Sequence, residues 1–121
     1  MSNFFNGVLE ETHVIKANKQ RCIISNEEFG LADPDKLREI ISNIHSVDRI
    51  EDKRERIIRK TSILIVGLGY DQPFKNGNKR TALSISILML RLEQFDIPFH
   101  TKAQKREVFD LLEGLMFKFL L

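Results

Sequence analysis

With Cys22 as its only cysteine in 121 residues, the chain can form neither an intrachain disulfide nor a Cys-based zinc site. Its stability must rest on an apolar core, and a reducing, cytoplasmic setting suits it best. There are only 3 prolines and 6 glycines, no Pro- or Ser-rich linker, no repeat and no block of like charge. Nothing marks a boundary, so a single domain over residues 1–121 is expected. No apolar run approaches the ~18 residues needed to span a bilayer. The opening Met1–Phe5 has no basic region and no long apolar stretch, so no signal peptide is expected. The charge excess is small: 19 basic against 17 acidic side chains give +2, with a sequence pI near 8.8. That balance admits an anionic ligand without requiring nucleic acid. What is present, 42% apolar and 30% charged residues, is the composition of a soluble globular domain.

The apolar residues recur with helical spacing. Asp33-Pro34 is a helix start, because Asp caps free amides and Pro fits a first turn where its missing N–H would be unpaired. Leu37, Ile40, Ile41 and Ile44 then form one stripe at i, i+3, i+4, i+7. A second helix is expected from near Glu51, carrying the acid-first pairs Asp52–Arg56 and Glu55–Arg59. It continues into the β-branched run Ile63 to Val66, which a strand would also suit. A strand before Gly67-Leu68-Gly69 would suggest a dinucleotide site, but Gln72 stands where the third Gly belongs, and the run keeps the helical phase of the charged pairs. Asn78 to Glu93, apolar nearly all round, reads as a helix at the centre of the fold. Thr101 and Gln104 form a capping box before a last helix, and Val8 to Ala17 reads as a first one. Five helices and no convincing strand pair make the fold all-α.

The chemistry gathers between the two most apolar helices, in Gly69-Tyr70-Asp71-Gln72-Pro73-Phe74-Lys75-Asn76-Gly77-Asn78-Lys79-Arg80-Thr81. Gly69 and Pro73 are expected to break the preceding helix, and Gly77 permits a positive φ. Asn78 opens the next helix, whose first amides are unpaired and sit at the positive end of its dipole. A Gly turn feeding a helix N-terminus is an anion site, and Lys79 and Arg80 in that first turn are unfavourable unless an anion compensates them. A phosphate group fits this arrangement. The same residues also make an ordinary Asn-Gly turn with surface cations.

As a contiguous string, Gln72 to Ala82 resembles the signature of the Fic/Doc family, His-x-Phe-x-Asp/Glu-Gly-Asn-Gly/Lys-Arg. Upstream, Phe29 to Leu37 is similar to that family's Gly-x-x-Asp-Pro-x-x-Leu segment, and the resemblance covers roughly Glu11 to Leu115. Lys79-Arg80-Thr81-Ala82 resembles the Doc, or death-on-curing, branch. Leu83 stands where AMP-transferring members carry a second Arg. The resemblance implies an all-α, Fic/Doc-like helical bundle with the motif loop between two central buried helices. It further implies an ATP-dependent transferase that modifies a protein hydroxyl, by AMP transfer or phosphorylation, with ATP and Mg²⁺ as cofactors. Gly77, Asn78 and Lys79 would line the phosphate site, Arg80 would clamp phosphate oxygens, and Phe74 would anchor the loop. Asn76 stands at the Mg²⁺ position and Gln72 at the catalytic His position.

Both of these are departures. Gln has no proton-accepting capacity, and loss of a general base costs ~10²–10⁴ in rate. An amide oxygen ligates Mg²⁺ more weakly than a carboxylate. Asp71 and Tyr70 are the nearest candidates for a substitute base, while His13, His45 and His100 fit no metal spacing. A catalytically silent relative that binds nucleotide or a partner is the alternative reading. By resemblance the expected partners are a protein substrate such as a translation factor and a separate antitoxin. The apolar tail Leu115–Leu121 suits either packing of the last helix into its own core or contact with a second copy of the chain; nucleic acid and membrane are not expected. The in-chain inhibitory motif of the family, Ser/Thr-x-x-x-Glu-Gly/Asn, is missing, because Phe109 precedes Glu113-Gly114 by four residues.

Overall fold

A computed structural model describes residues 8–92 together with Lys102 and Ala103. Its helices are α1 (Glu11–Ile24), α2 (Pro34–Ser46), α3 (Lys53–Asp71) and α4 (Asn78–Leu92), with a 3₁₀ turn at Val47–Arg49. Among the described residues the only β-type pairing is an isolated bridge between Leu31 and Phe74. The fold is all-α. Lys102 and Ala103 are helical; the Thr101–Gln104 capping box, the remainder of the last helix, His100 and the apolar tail lie outside the described residues.

Each helix starts for a local reason. The Asp33 carboxylate accepts from the Lys36 N–H at 3.0 Å, with Pro34 in the first turn of α2. Asp52 accepts from the Arg54 and Glu55 N–H groups at 3.0 and 3.4 Å and so caps α3, which starts at Lys53, two residues after Glu51. Glu55 pairs with Arg59 at 3.4 Å, and Arg56 donates to the Ile50 carbonyl at 2.8 Å. α1 differs from its expected position: it begins at Glu11 and runs on to Ile24. Gly69 does not break α3. It lies inside the helix, buried, because a helix tolerates one glycine when packing holds it.

α3 packs against both α2 and α4, and α1 lies on α4. The α2 stripe of Leu37, Ile40, Ile41 and Ile44 is buried against Ile57, Leu64, Ile65 and Leu68 of α3. From α4 come Ala82, Leu83, Ile85 and Met89, and from α1 Val14. The glycine at 67 sets the α2–α3 approach: a Cβ there would meet Ile40 Cγ1 at 2.6 Å. These contacts hold the α3–α4 turn at one end of the two innermost helices.

Candidate functional site: the turn between α3 and α4

α3 ends on Gln72, a non-glycine residue in the left-handed region (φ 49°, ψ 65°). That conformation reverses the chain at a cost that Gly would avoid. The next residues are tied to the segment before α2. The Pro73 carbonyl accepts from the Ala32 and Asp33 N–H groups at 2.8 and 2.9 Å, and the Lys75 N–H donates to the Gly30 carbonyl at 2.7 Å. Phe74 is 2% exposed, its ring 6.2 Å from that of Phe29. The buried Asn78 side chain braces the loop from inside. Its Oδ1 accepts from the Phe74 N–H at 3.0 Å and its Nδ2 donates to the Phe74 carbonyl at 2.8 Å. Gly77, at φ +75°, accepts from the Thr81 N–H at 2.9 Å and so occupies the cap position of α4. No described residue accepts from the N–H groups of Gly77 or Asn78. They are the free donors expected at a helix start.

The charges around this turn come from several places in the chain. Arg80 Nη1 donates to the Ser25 hydroxyl and lies 3.4 Å from Glu27 Oε1, both just past the end of α1. Lys75 pairs with Glu28, and this bond and charge lower the pKa of the Glu28 carboxyl. Lys79 is exposed in the first turn of α4, which holds no acidic residue. The Asn76 side chain donates to the Glu28 carbonyl at 2.9 Å. Its backbone carbonyl points the other way, into α1, where Asn18 Nδ2 donates to it at 2.8 Å and to Thr81 Oγ1 at 3.1 Å. Cys22 is buried beside them, its thiol 3.6 Å from Asn18 Oδ1. Burial pushes the Cys22 thiol pKa up, the Glu27 charge adds to that, and Arg80 opposes it.

A buried aromatic anchor, a positive-φ glycine and two free amides followed by Lys-Arg thus occupy one turn between the central helices. The sequence model of the Fic/DOC family matches residues 5–90, which takes in α1 to α3, this turn and all but the last two residues of α4. The chain belongs to the Fic/DOC family. No curated protein and no solved structure matches it.

Within this Fic/DOC chain the turn gathers Gln72, Phe74, Asn76, Gly77, Asn78, Lys79 and Arg80 at one end of the bundle. Gln72 is exposed there, its amide 3.5 Å from the Gly69 carbonyl. Asp71 turns elsewhere: it lies 3.8 Å from Lys36 and lines a crevice of about 310 Å³ between α2 and α3. His13 Nδ1 accepts from the Glu10 N–H at 2.9 Å, and His45 Nε2 donates to the Leu9 carbonyl at 2.7 Å. Both histidines serve helix ends away from the turn. Asn18, Ser25 and Glu27 are the site residues that sequence reading missed. The one available signal was Val14-Asn18-Cys22, a stripe at i, i+4, i+8 with an amide where an apolar residue would pack.

The residues present fit phosphate: outward N–H donors, a guanidinium and two lysines within one turn of chain. They offer Mg²⁺ less. No three His, Cys, Asp or Glu side chains cluster among the described residues, and Asn76 supplies only a neutral oxygen. A cation here would be held chiefly through the phosphates it accompanies.

Proposed function

We propose that this Fic/DOC protein binds ATP by its phosphates at the α3–α4 turn and transfers AMP or phosphate to the hydroxyl of a target protein, as a Doc-like member with a weakened catalytic position. The observation that carries this reading is the turn itself: the free Gly77 and Asn78 amides beside Arg80. In the transfer, the target hydroxyl oxygen bonds to the α- or γ-phosphorus and the bridging P–O bond breaks, releasing pyrophosphate or ADP. The N–H groups and Arg80 stabilise the charge that builds on the phosphoryl oxygens. Arg80 has to leave Glu27 to do so. Gln72 can hydrogen-bond and orient the hydroxyl, but its proton passes to water, since an amide does not accept it. This slows the step by ~10²–10⁴ relative to a histidine. Asn76 would offer a neutral amide oxygen to a Mg²⁺ accompanying ATP, which would supply charge neutralisation on the phosphates. A cytoplasmic toxin with a separate antitoxin, acting on a translation factor, is the setting consistent with a Doc-like ending.

A second reading, silent nucleotide binding, is favoured by one observation: Asp71 is paired with Lys36 on the α2 side and supplies no substitute base. ATP labelled separately at the α- and γ-phosphates, incubated with the protein and cell extract, tests both. Label transfer that rises by ~10²–10⁴ in Gln72→His is the expected result. Binding without transfer in either protein would establish the silent reading, and no ATP binding at all would remove both.

A further inference from the structure

Asn18 is wholly buried in the middle of α1, yet it is committed to the turn 58 residues further on. Its amide orientation is dictated by chemistry. The Asn76 carbonyl can only accept, so Nδ2 must face it; the Cys22 thiol lies on the Oδ1 side as a donor. The second Nδ2 hydrogen goes to Thr81 Oγ1, one turn into α4. Asn18 therefore pins the last carbonyl before Gly77 to the first turn of the helix.

That pin has a directional consequence. Among the described residues no peptide bond is cis, and in a trans peptide the C=O and the following N–H point in opposite directions. A carbonyl of Asn76 held inward thus turns the Gly77 N–H outward, away from α1. Without the pin the Asn76 carbonyl keeps only the longer, weaker contact of the Cys22 thiol at 3.8 Å, and the peptide can rotate because Gly77 tolerates either sign of φ. The rotated peptide would present a carbonyl oxygen to an anion in place of an N–H. Asn18 Nδ2 also lies 3.2 Å from where a Gly77 Cβ would be, so it backs the turn directly.

We propose that Asn18 is a positioning residue for the phosphate site: it locks the Asn76–Gly77 peptide plane so that the Gly77 amide donates to the bound phosphate. This rests on the reading of the turn as an ATP site. It gives a polar residue at a fully buried helix position a role that packing alone does not require.

The test is calorimetric titration with ATP of the wild type, Asn18→Leu, which lacks the donor, and Asn18→Asp, whose carboxylate would draw the Gly77 N–H inward. Val14→Ala, one turn earlier in the same buried face, serves as the control for loosened packing. The expected result is a loss of about tenfold or more in affinity for both Asn18 variants, the size of one charge-assisted hydrogen bond. Val14→Ala should lower the melting temperature yet stay within about twofold of wild-type affinity. In ¹⁵N spectra, the Gly77 amide should shift on ATP addition in the wild type and not in Asn18→Leu. If Asn18→Leu does not fold, Thr81→Val, which removes one anchor of the Asn18 amide, should weaken ATP binding about threefold. The proposal is overturned if an Asn18 variant, or Thr81→Val in its place, binds like the wild type, or if Val14→Ala loses as much affinity. A wild type that fails to bind ATP overturns the ATP reading itself, and this proposal with it.

Discussion

In the proposed ATP site Arg80 is the residue that would clamp phosphate, and in this structure its guanidinium is engaged by Ser25 and Glu27. The Arg80–Glu27 pair is half-exposed, a setting in which ion pairs are worth 0.2–1 kcal/mol. Removing the competing charge in Glu27→Gln is therefore expected to raise ATP affinity by about two- to fivefold, measured by calorimetry. Affinity unchanged or lowered would mean that Arg80 does not exchange Glu27 for phosphate. Gln72 carries a different burden. Its left-handed φ of 49° is strained for any residue with a Cβ, and strain of this kind is retained where a side chain is needed. Gln72→Gly should raise unfolding stability by roughly 0.5–1 kcal/mol in urea titrations, while removing the side chain that the proposed transfer would use to orient a hydroxyl.

Among the helices, α3 carries the tightest constraint. Gly67→Ala would gain about 1 kcal/mol of helix propensity. Against this, the new methyl would lie 2.6 Å from Ile40 Cγ1 and 2.8 Å from its Cδ1, and Ile40 is itself buried. Overpacking costs about 1–3 kcal/mol and outweighs the gain. The expected outcome is a net loss near 1 kcal/mol, seen as a lower denaturation midpoint. A stabilised variant would show that α2 and α3 separate freely. α2 was legible in full because its apolar stripe and its Asp-Pro start are both local signals. α1 was legible only in part. Its buried positions, His13, Val14, Asn18 and Cys22, include two polar residues, so the stripe that packs on α4 has no apolar periodicity to read. Gly69 misled for the converse reason: its helix-breaking tendency is intrinsic, while burial between neighbouring helices is not visible from the residue itself.

For the molecule as a whole, pH provides a readout of the α1–turn contact. The Cys22 thiol has a raised pKa in the folded state through burial and the Glu27 charge. Its contribution to stability is complete below the ordinary thiol pKa of about 8.5. Above that, the unfolded chain gives up a proton that the folded chain retains, so stability should fall as pH rises through the folded value. Cys22→Ala should remove this alkaline loss, and the thiol should react with aromatic disulfide reagents only slowly at neutral pH. Glu28 works in the opposite sense: its lowered pKa gives stability that is present above about pH 4.3 and is lost on acidification. Because that carboxylate is exposed, the acid effect should be the smaller of the two. Denaturation midpoints measured from pH 2 to 10 check both arms. Among the described residues no helix is long and apolar enough to cross a membrane.

The amino-acid order alone settled that α2, α3 and α4 exist, where α2 and α4 begin, and that a glycine turn followed by two cations lies between α3 and α4. These follow from interactions within a few residues: apolar spacing at 3.6 per turn, caps, and the φ freedom of Gly77. Packing settled which groups face that turn. Asn18, Ser25 and Glu27 lie 53 to 63 positions from the residues they bond, and no local rule connects them. They meet because α1 is laid across α4 with His13, Val14, Asn18 and Cys22 buried, a choice made by the core as a whole.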